Sequence, residues 1–292
     1  MNPKTLHTSA WILSMAVVAL LCASVVAQVP ELGYVVSSHR FSSDPGVGGL
    51  YIVPPPSSPA LPVSTVGGLS SDLTGSTSSS PLGASSVLIT DATGTTLAVG
   101  ETGPQGTAIH LHLVTLSGNT AISDVTYFLG TELSSYGGGI MQSALLPNGD
   151  VLLGTFGVGS SAIWKWSSST GTVVQLPVTF PVPWTPGQEG LNALCVNPAG
   201  TIAYAGLDTG YGTSAFYSIA LAGPSYTVTT IGTVPMYVSG LLYNPNGTLT
   251  ATSFNGTYDL WTVNLASSTI SPSCSPSLGY GGLNAVARGA LR

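Results

Sequence analysis

Gly190-Leu-Asn-Ala-Leu-Cys-Val196, then Asn197-Pro-Ala-Gly200, then Thr201-Ile-Ala-Tyr-Ala205 is the stretch whose reading decides the fold. Two short apolar runs flank a turn built from Asn, Pro and Gly, which is the sequence signature of a β-hairpin. The arrangement returns at Asp91-Ala-Thr-Gly94, Pro147-Asn-Gly149 and Asn244-Pro-Asn-Gly247, and the four glycines stand 55, 51 and 47 residues apart.

Working outward from the turns gives a common unit. Its first strand is Ser86–Thr90, Gln142–Leu146, Asn192–Val196 or Ser239–Tyr243, and its second is Thr96–Gly100, Asp150–Gly154, Thr201–Ala205 or Thr248–Thr252. A Gly-rich connection leads to a third strand at Ile109–Leu113, Ile163–Trp166, Phe216–Ile219 or Leu260–Val263; a more polar fourth follows, as in Gly171–Leu176 and Tyr226–Thr230. Several strands per repeat at a period near fifty mark a β-propeller. Gly33–Ser37, Leu50–Val53 and Leu61–Thr65 read as strands two to four of a unit lacking its first, while Gly282–Gly289 resembles Gly190–Cys195 and then stops. An orphan strand at one end and a missing strand at the other are what ring closure requires, and closure protects sheet edges. The expectation is an all-β, five-bladed propeller closed by the C-terminal strand; six blades follow if residues 66–84 conceal strands. Leu69–Leu82, rich in Ser, reads as a flexible loop.

The pattern of apolar strand, Asn/Pro–Gly turn, apolar strand, Gly-rich loop and Ile-aromatic strand resembles the NHL, YVTN and gluconolactonase-like propeller repeats over residues 28–292. The Asp that commonly ends the second strand of NHL units is not repeated: Ser38, Glu101, Thr155, Gly206 and Ser253 stand there. The acid and Asn constellation of the metal-dependent lactonases has no residue-by-residue counterpart.

Residues 1–27 read as a signal peptide: Lys4, the apolar run Ala10–Leu21, and the small residue Ala27 before the expected cleavage point. The run is short for a membrane span, which needs about 20 residues, so no span is expected after cleavage, and the chain is expected to be secreted, periplasmic or on the cell surface. Charged residues make up 5% of the chain, with five Lys and Arg against eleven Asp and Glu. Clustered cations, which nucleic-acid binding requires, are missing from the sequence. Cys195 and Cys274 remain after cleavage; they are open to pairing in an oxidising compartment, or Cys195 is a buried free thiol.

Candidate chemistry concentrates in the loops between strands two and three and between units. Glu101, Glu189 and Asp208 come from different units, and convergence on the axis would make a carboxylate site of the kind that cleaves glycosidic bonds. His39, at a strand end, is a further acid–base or ligand candidate, and Arg40 beside it is a candidate for ligand binding. Tyr136, Trp184, Tyr237 and Tyr280 recur at junctions between units, where aromatic faces either stack on sugar rings or fill gaps between sheets. His110 and His112 share one strand face. Alignment puts His110 with Tyr51, Trp164, Tyr217 and Trp261, and His112 with Val53, Trp166, Ile219 and Val263, so both read as packing positions and no metal or other cofactor is expected. Ser42–Gly46 reads as a turn, not an Asp-box, and Asn246 and Asn255 begin glycosylation sequons. The functional expectation is a binding module, with a neutral saccharide as first ligand. The alternatives are a secreted hydrolase or lyase using the axial carboxylates, and a structural cell-envelope protein.

Overall fold

The computed structural model describes residues 33–37, 49–53, 64–74, 83–91, 93–103, 105–131, 138–158, 162–181, 190–210, 212–223, 225–254 and 260–274. Among them the chain is all-β apart from one helical turn. A three-stranded unit, β1 (Gly33–Ser37), β2 (Gly49–Val53) and β3 (Ser64–Thr65), comes first, followed by α1 (Ser71–Thr74). Then come β4 (Gly83–Ile89), β5 (Thr96–Gly103), β6 (Ala108–Ser117) and β7 (Thr120–Thr131), and β8 (Gly138–Leu145), β9 (Val151–Phe156), β10 (Ile163–Ser167) and β11 (Thr172–Gln175). The last two groups are β12 (Gly190–Val196), β13 (Ile202–Gly210), β14 (Thr213–Ala220) and β15 (Val228–Val234), and β16 (Tyr237–Tyr243), β17 (Thr248–Phe254), β18 (Leu260–Asn264) and β19 (Thr269–Cys274). Each group pairs antiparallel in chain order. The strands expected from the four repeated turns are therefore present, most of them a few residues longer.

The repeated turn forms as its residues dictate. The glycine N–H donates to the carbonyl three residues back: Gly94 to Asp91 (3.3 Å), Gly149 to Leu146 (2.9 Å), Gly200 to Asn197 (2.9 Å) and Gly247 to Asn244 (3.0 Å). The glycine φ values of +70°, +84°, +67° and +75° lie where a Cβ is penalised. Asp91 Oδ1 accepts the Thr95 and Thr96 N–H groups (3.0 and 2.9 Å), and Asn197 Oδ1 accepts those of Thr201 and Ile202 (2.9 and 3.0 Å). The side chain thus finishes the turn the backbone begins.

Alternation along the strands makes layers. Leu97 and Val99 of β5 join Leu50, Ile52, Val66 and Leu73, whereas Ala98, between them, joins Ile140, Val151 and Leu153 of the following unit. The next two layers repeat this, one joining Leu152 and Ile163 to Leu191 and Leu194, the other Phe216 and Val234 to Val238 and Leu249. Successive sheets therefore stack face to face, each presenting alternate residues to the neighbour on either side. Burial falls from the second strand to the fourth: β9 is buried at every residue and β11 at none. β1 packs beside β4 as β5 packs beside β8, β9 beside β12 and β13 beside β16, which puts β1 in the second-strand place. Residues 282–289, the expected closing strand, lie outside the described residues, as does the expected signal segment.

The expected loop over Leu69–Leu82 is corrected for its first part. Ser71–Thr74 forms a helical turn, and Leu73 is fully buried against Leu50 and Val66. One leucine side chain taken out of water stabilises by about 1.5–3 kcal/mol, which outweighs the Ser-rich composition around it. Cys195 is a buried free thiol on β12.

Candidate functional site

Within β4–β7 the sheet departs from its own repeat. The ladders set the equivalences: Val99 faces His112 as Leu153 faces Trp164, Ala205 faces Tyr217 and Ala251 faces Trp261. His112, not His110, therefore occupies the repeated aromatic position, which corrects the sequence alignment by two residues. The cause is length, because Leu111 stands eleven positions after its partner Gly100 where Ile163 stands nine after Gly154. The first-strand ladders likewise make Glu101 the equivalent of Thr155, Leu207 and Ser253, facing Ala84, Ile140, Leu191 and Val238. Leu207 replaces the Gly206 expected there, since the turn after Asn197 returns to the ladder one residue later than the turn after Leu146.

A carboxylate and an imidazole thus stand side by side at two buried positions that other units fill with Thr, Leu, Ser, Trp and Tyr. Glu101 is 1% exposed and His112 0%. Glu101 Oε2 accepts the His110 backbone N–H at 2.7 Å and lies 2.9 Å from His110 Nδ1 and 3.8 Å from His112 Nε2. His112 Nδ1 meets both oxygens of Asp124, on β7, at 2.9 and 3.2 Å. Burial would push His112 down, but the Asp124 and Glu101 carboxylates overcome it and raise its pKa to about 9. Asp124 is held below the usual carboxylate range: burial opposes this, and the His112 ring and the Ser70 backbone outweigh it. Ionised Asp124 only accepts, so His112 Nδ1 carries a proton. His112 Nε2 is buried with no hydrogen-bond partner, its 3.8 Å to Glu101 being too long for one. His110 is the cluster's door, with its side chain 26% exposed and its ring 5.8 Å from that of Phe128. Packing explains the burial of His112 but not this set of partners. Asp124 went unnoticed in the sequence because the polar fourth strands carry no repeated signal.

The other expected site residues divide by location. Asp208 is half-buried on β13, its backbone facing Gly190 and Ser214. Tyr237 opens β16 at the same end of its sheet pair, half-buried, and its hydroxyl accepts the Gly212 N–H at 3.1 Å. Glu101 also lies towards that end of its unit, but its carboxylate is engaged by the histidines of its own sheet. His39, Arg40, Tyr136, Trp184, Glu189 and Tyr280 lie outside the described residues. At the opposite end, the hairpin turns enclose a groove of about 270 Å³ lined by Pro147, Asp150, Lys165, Gly200 and Tyr226.

No protein-family model and no curated protein matches the sequence. Solved structures do match in shape. Its structural neighbours are β-propellers. A Bacteroides uniformis protein, provisionally a 6-phosphogluconolactonase, is 13% identical over 83% of this chain and 68% of its own, with a TM-score of 0.49. The periplasmic gluconolactonase of Pseudomonas aeruginosa is 15% identical over 63% of this chain and 54% of its own (TM-score 0.44). A β-propeller domain from Myceliophteria thermophila is 12% identical over 74% and 62% (TM-score 0.41). This chain thus spans about half the length of the Pseudomonas structure. These likenesses concern the fold and carry no chemistry across.

Proposed function

We propose that the chain is an exported five-bladed β-propeller, closed by residues 282–289 on the N-terminal unit, and that it is a binding module for a neutral polyhydroxyl ligand such as a saccharide. The ring reading is supported by β1, which packs as a second strand and has no first strand of its own among the described residues. The observation that carries the binding reading is Tyr237. Its hydroxyl is tethered to the Gly212 amide, which fixes a half-buried ring at the end of the sheets where strand two hands over to strand three. A fixed aromatic face loses little entropy when an apolar sugar face stacks on it. With 5% charged residues, the chain offers such a ligand chiefly hydroxyl and amide partners.

The test is retention of the full chain on a panel of immobilised neutral polysaccharides, with reducing ends assayed in parallel. The expected result is retention without release of reducing ends, weakened about tenfold or more by Tyr237→Ala, the loss of one stacked aromatic. Absence of retention across the panel overturns the binding reading, and release of reducing ends moves the chain to the hydrolases.

A further inference from the structure

We propose that Glu101, His110 and His112 form a binding site for a divalent transition-metal ion of the zinc class. The site does not rest on the saccharide reading and lies in the β4–β7 unit, whereas Tyr237 opens β16.

Three observations carry it. The donor atoms of the three side chains lie within 4.8 Å of one another. Tetrahedral zinc, with metal–donor bonds of about 2.0–2.2 Å, places its donors about 3.3 Å apart. The present separations of 2.9 Å (Glu101 Oε2 to His110 Nδ1) and 3.8 Å (Glu101 Oε2 to His112 Nε2) bracket that value, and the two imidazole nitrogens, within 4.8 Å of each other, close on the ion by a movement of the part-exposed His110 ring.

The second observation is the orphaned nitrogen. His112 Nε2 is fully buried, has no hydrogen-bond partner and faces the Glu101 carboxylate. A polar atom so placed costs free energy unless something fills its valence. Asp124 settles which nitrogen serves, because it accepts the Nδ1–H and leaves Nε2 as the nitrogen that can exchange its proton for a metal. A carboxylate behind a ligating imidazole is the usual outer-sphere support of zinc-bound histidines.

The third is the repeat itself. Other units show that these positions are filled adequately by Trp, Tyr, Thr, Leu or Ser. Packing therefore does not demand an acid and an imidazole in β5 and β6, and their joint presence is specific to this unit. Two imidazoles and one carboxylate select zinc-class cations over magnesium or calcium, which prefer all-oxygen cages. On binding, the ion takes the place of two protons: the one His110 Nδ1 shares with Glu101 Oε2, which transfers through solvent to Nε2 of the same ring, and the one on Nε2 of the His112 ring cation, which passes to solvent past the exposed edge of His110. A fourth coordination position remains on that side.

The experiment uses the full chain without a histidine tag, stripped with a chelator and titrated calorimetrically with zinc chloride, with cobalt(II) absorption as a geometric probe. The expected result is one zinc per chain and a tetrahedral cobalt spectrum. Glu101→Gln and His110→Ala should each weaken binding at least tenfold while circular dichroism stays unchanged, and Asp150→Asn, at the opposite end of the sheets, should bind as wild type. The proposal is overturned if stripped protein takes up no zinc. It is equally overturned if folded E101Q and H110A bind undiminished, or if binding is lost in folded D150N.

Discussion

His112 and Asp124 meet across β6 and β7, the imidazole Nδ1 2.9 Å from one carboxylate oxygen and 3.2 Å from the other. The pair links a fully buried ring to a strand that is otherwise largely exposed, with Leu129 its one buried residue. Removing the acid leaves the ring's charge without its main partner. In the presence of chelator, Asp124→Ala should lower stability to urea by about 3 kcal/mol, the typical loss for half of a buried pair. Asp124→Asn should weaken zinc binding by about ten- to a hundredfold, the usual effect of an outer-sphere change. Urea titration and calorimetry check the two effects separately.

The turn glycines are not equivalent. A Cβ on Gly94 would meet nothing within 4 Å, whereas one on Gly200 would lie 2.4 Å from Pro147 Cδ. Gly94→Ala should therefore cost about 1–2 kcal/mol, the left-handed backbone penalty alone. Gly200→Ala should cost more, because it adds a clash with a rigid proline ring in the neighbouring turn. Equal urea midpoints for the two variants would show that the contact between adjacent turns does not contribute.

Asp150 should make stability acid-sensitive. Burial alone would raise its pKa, but the Ser168 amide, Asn148, the Ser168 hydroxyl and Lys165 hold it below 3.8. A group depressed in the folded state contributes stability above its unfolded pKa and loses it as pH falls through the folded value. The wild-type urea midpoint should therefore fall below about pH 4. Asp150→Asn should start lower at neutral pH and fall less, as fluorescence-monitored unfolding across that range would show.

Cys195 should be silent in the folded protein. Burial pushes its thiol up to about 12, so at pH 8 only about one in ten thousand molecules carries the thiolate that reacts. Peptide mapping after iodoacetamide treatment should find Cys195 unmodified in native protein and fully modified in guanidinium. Native labelling on the folding timescale or faster would contradict the burial of β12.

Much of the fold was legible because repetition is a local signal. The Asn197–Gly200 turn announces itself through residue types that serve one backbone conformation, and its recurrence located strands from β4 to β18. Leu73 was missed because a single apolar residue in a Ser-rich stretch shows no periodicity; only the neighbouring sheet reveals that it is core. The candidate site was half legible. Glu101 was picked out as an ionisable residue in a charge-poor chain, and His110 and His112 were seen to share a face. Their partnership was not visible, because alignment by composition put His112 two residues out of register.

What the sequence determined by itself was the antiparallel unit, its number of strands and its turns, since these depend on side chains within a few residues of one another. What only the tertiary structure decided was register: which residue of β5 lies against which residue of β6, and which acid of β7 reaches the ring between them. Register depends on the lengths of connections and on the packing of whole sheets. A shift of one or two residues there changes no local propensity, yet decides whether Glu101, His112 and Asp124 meet.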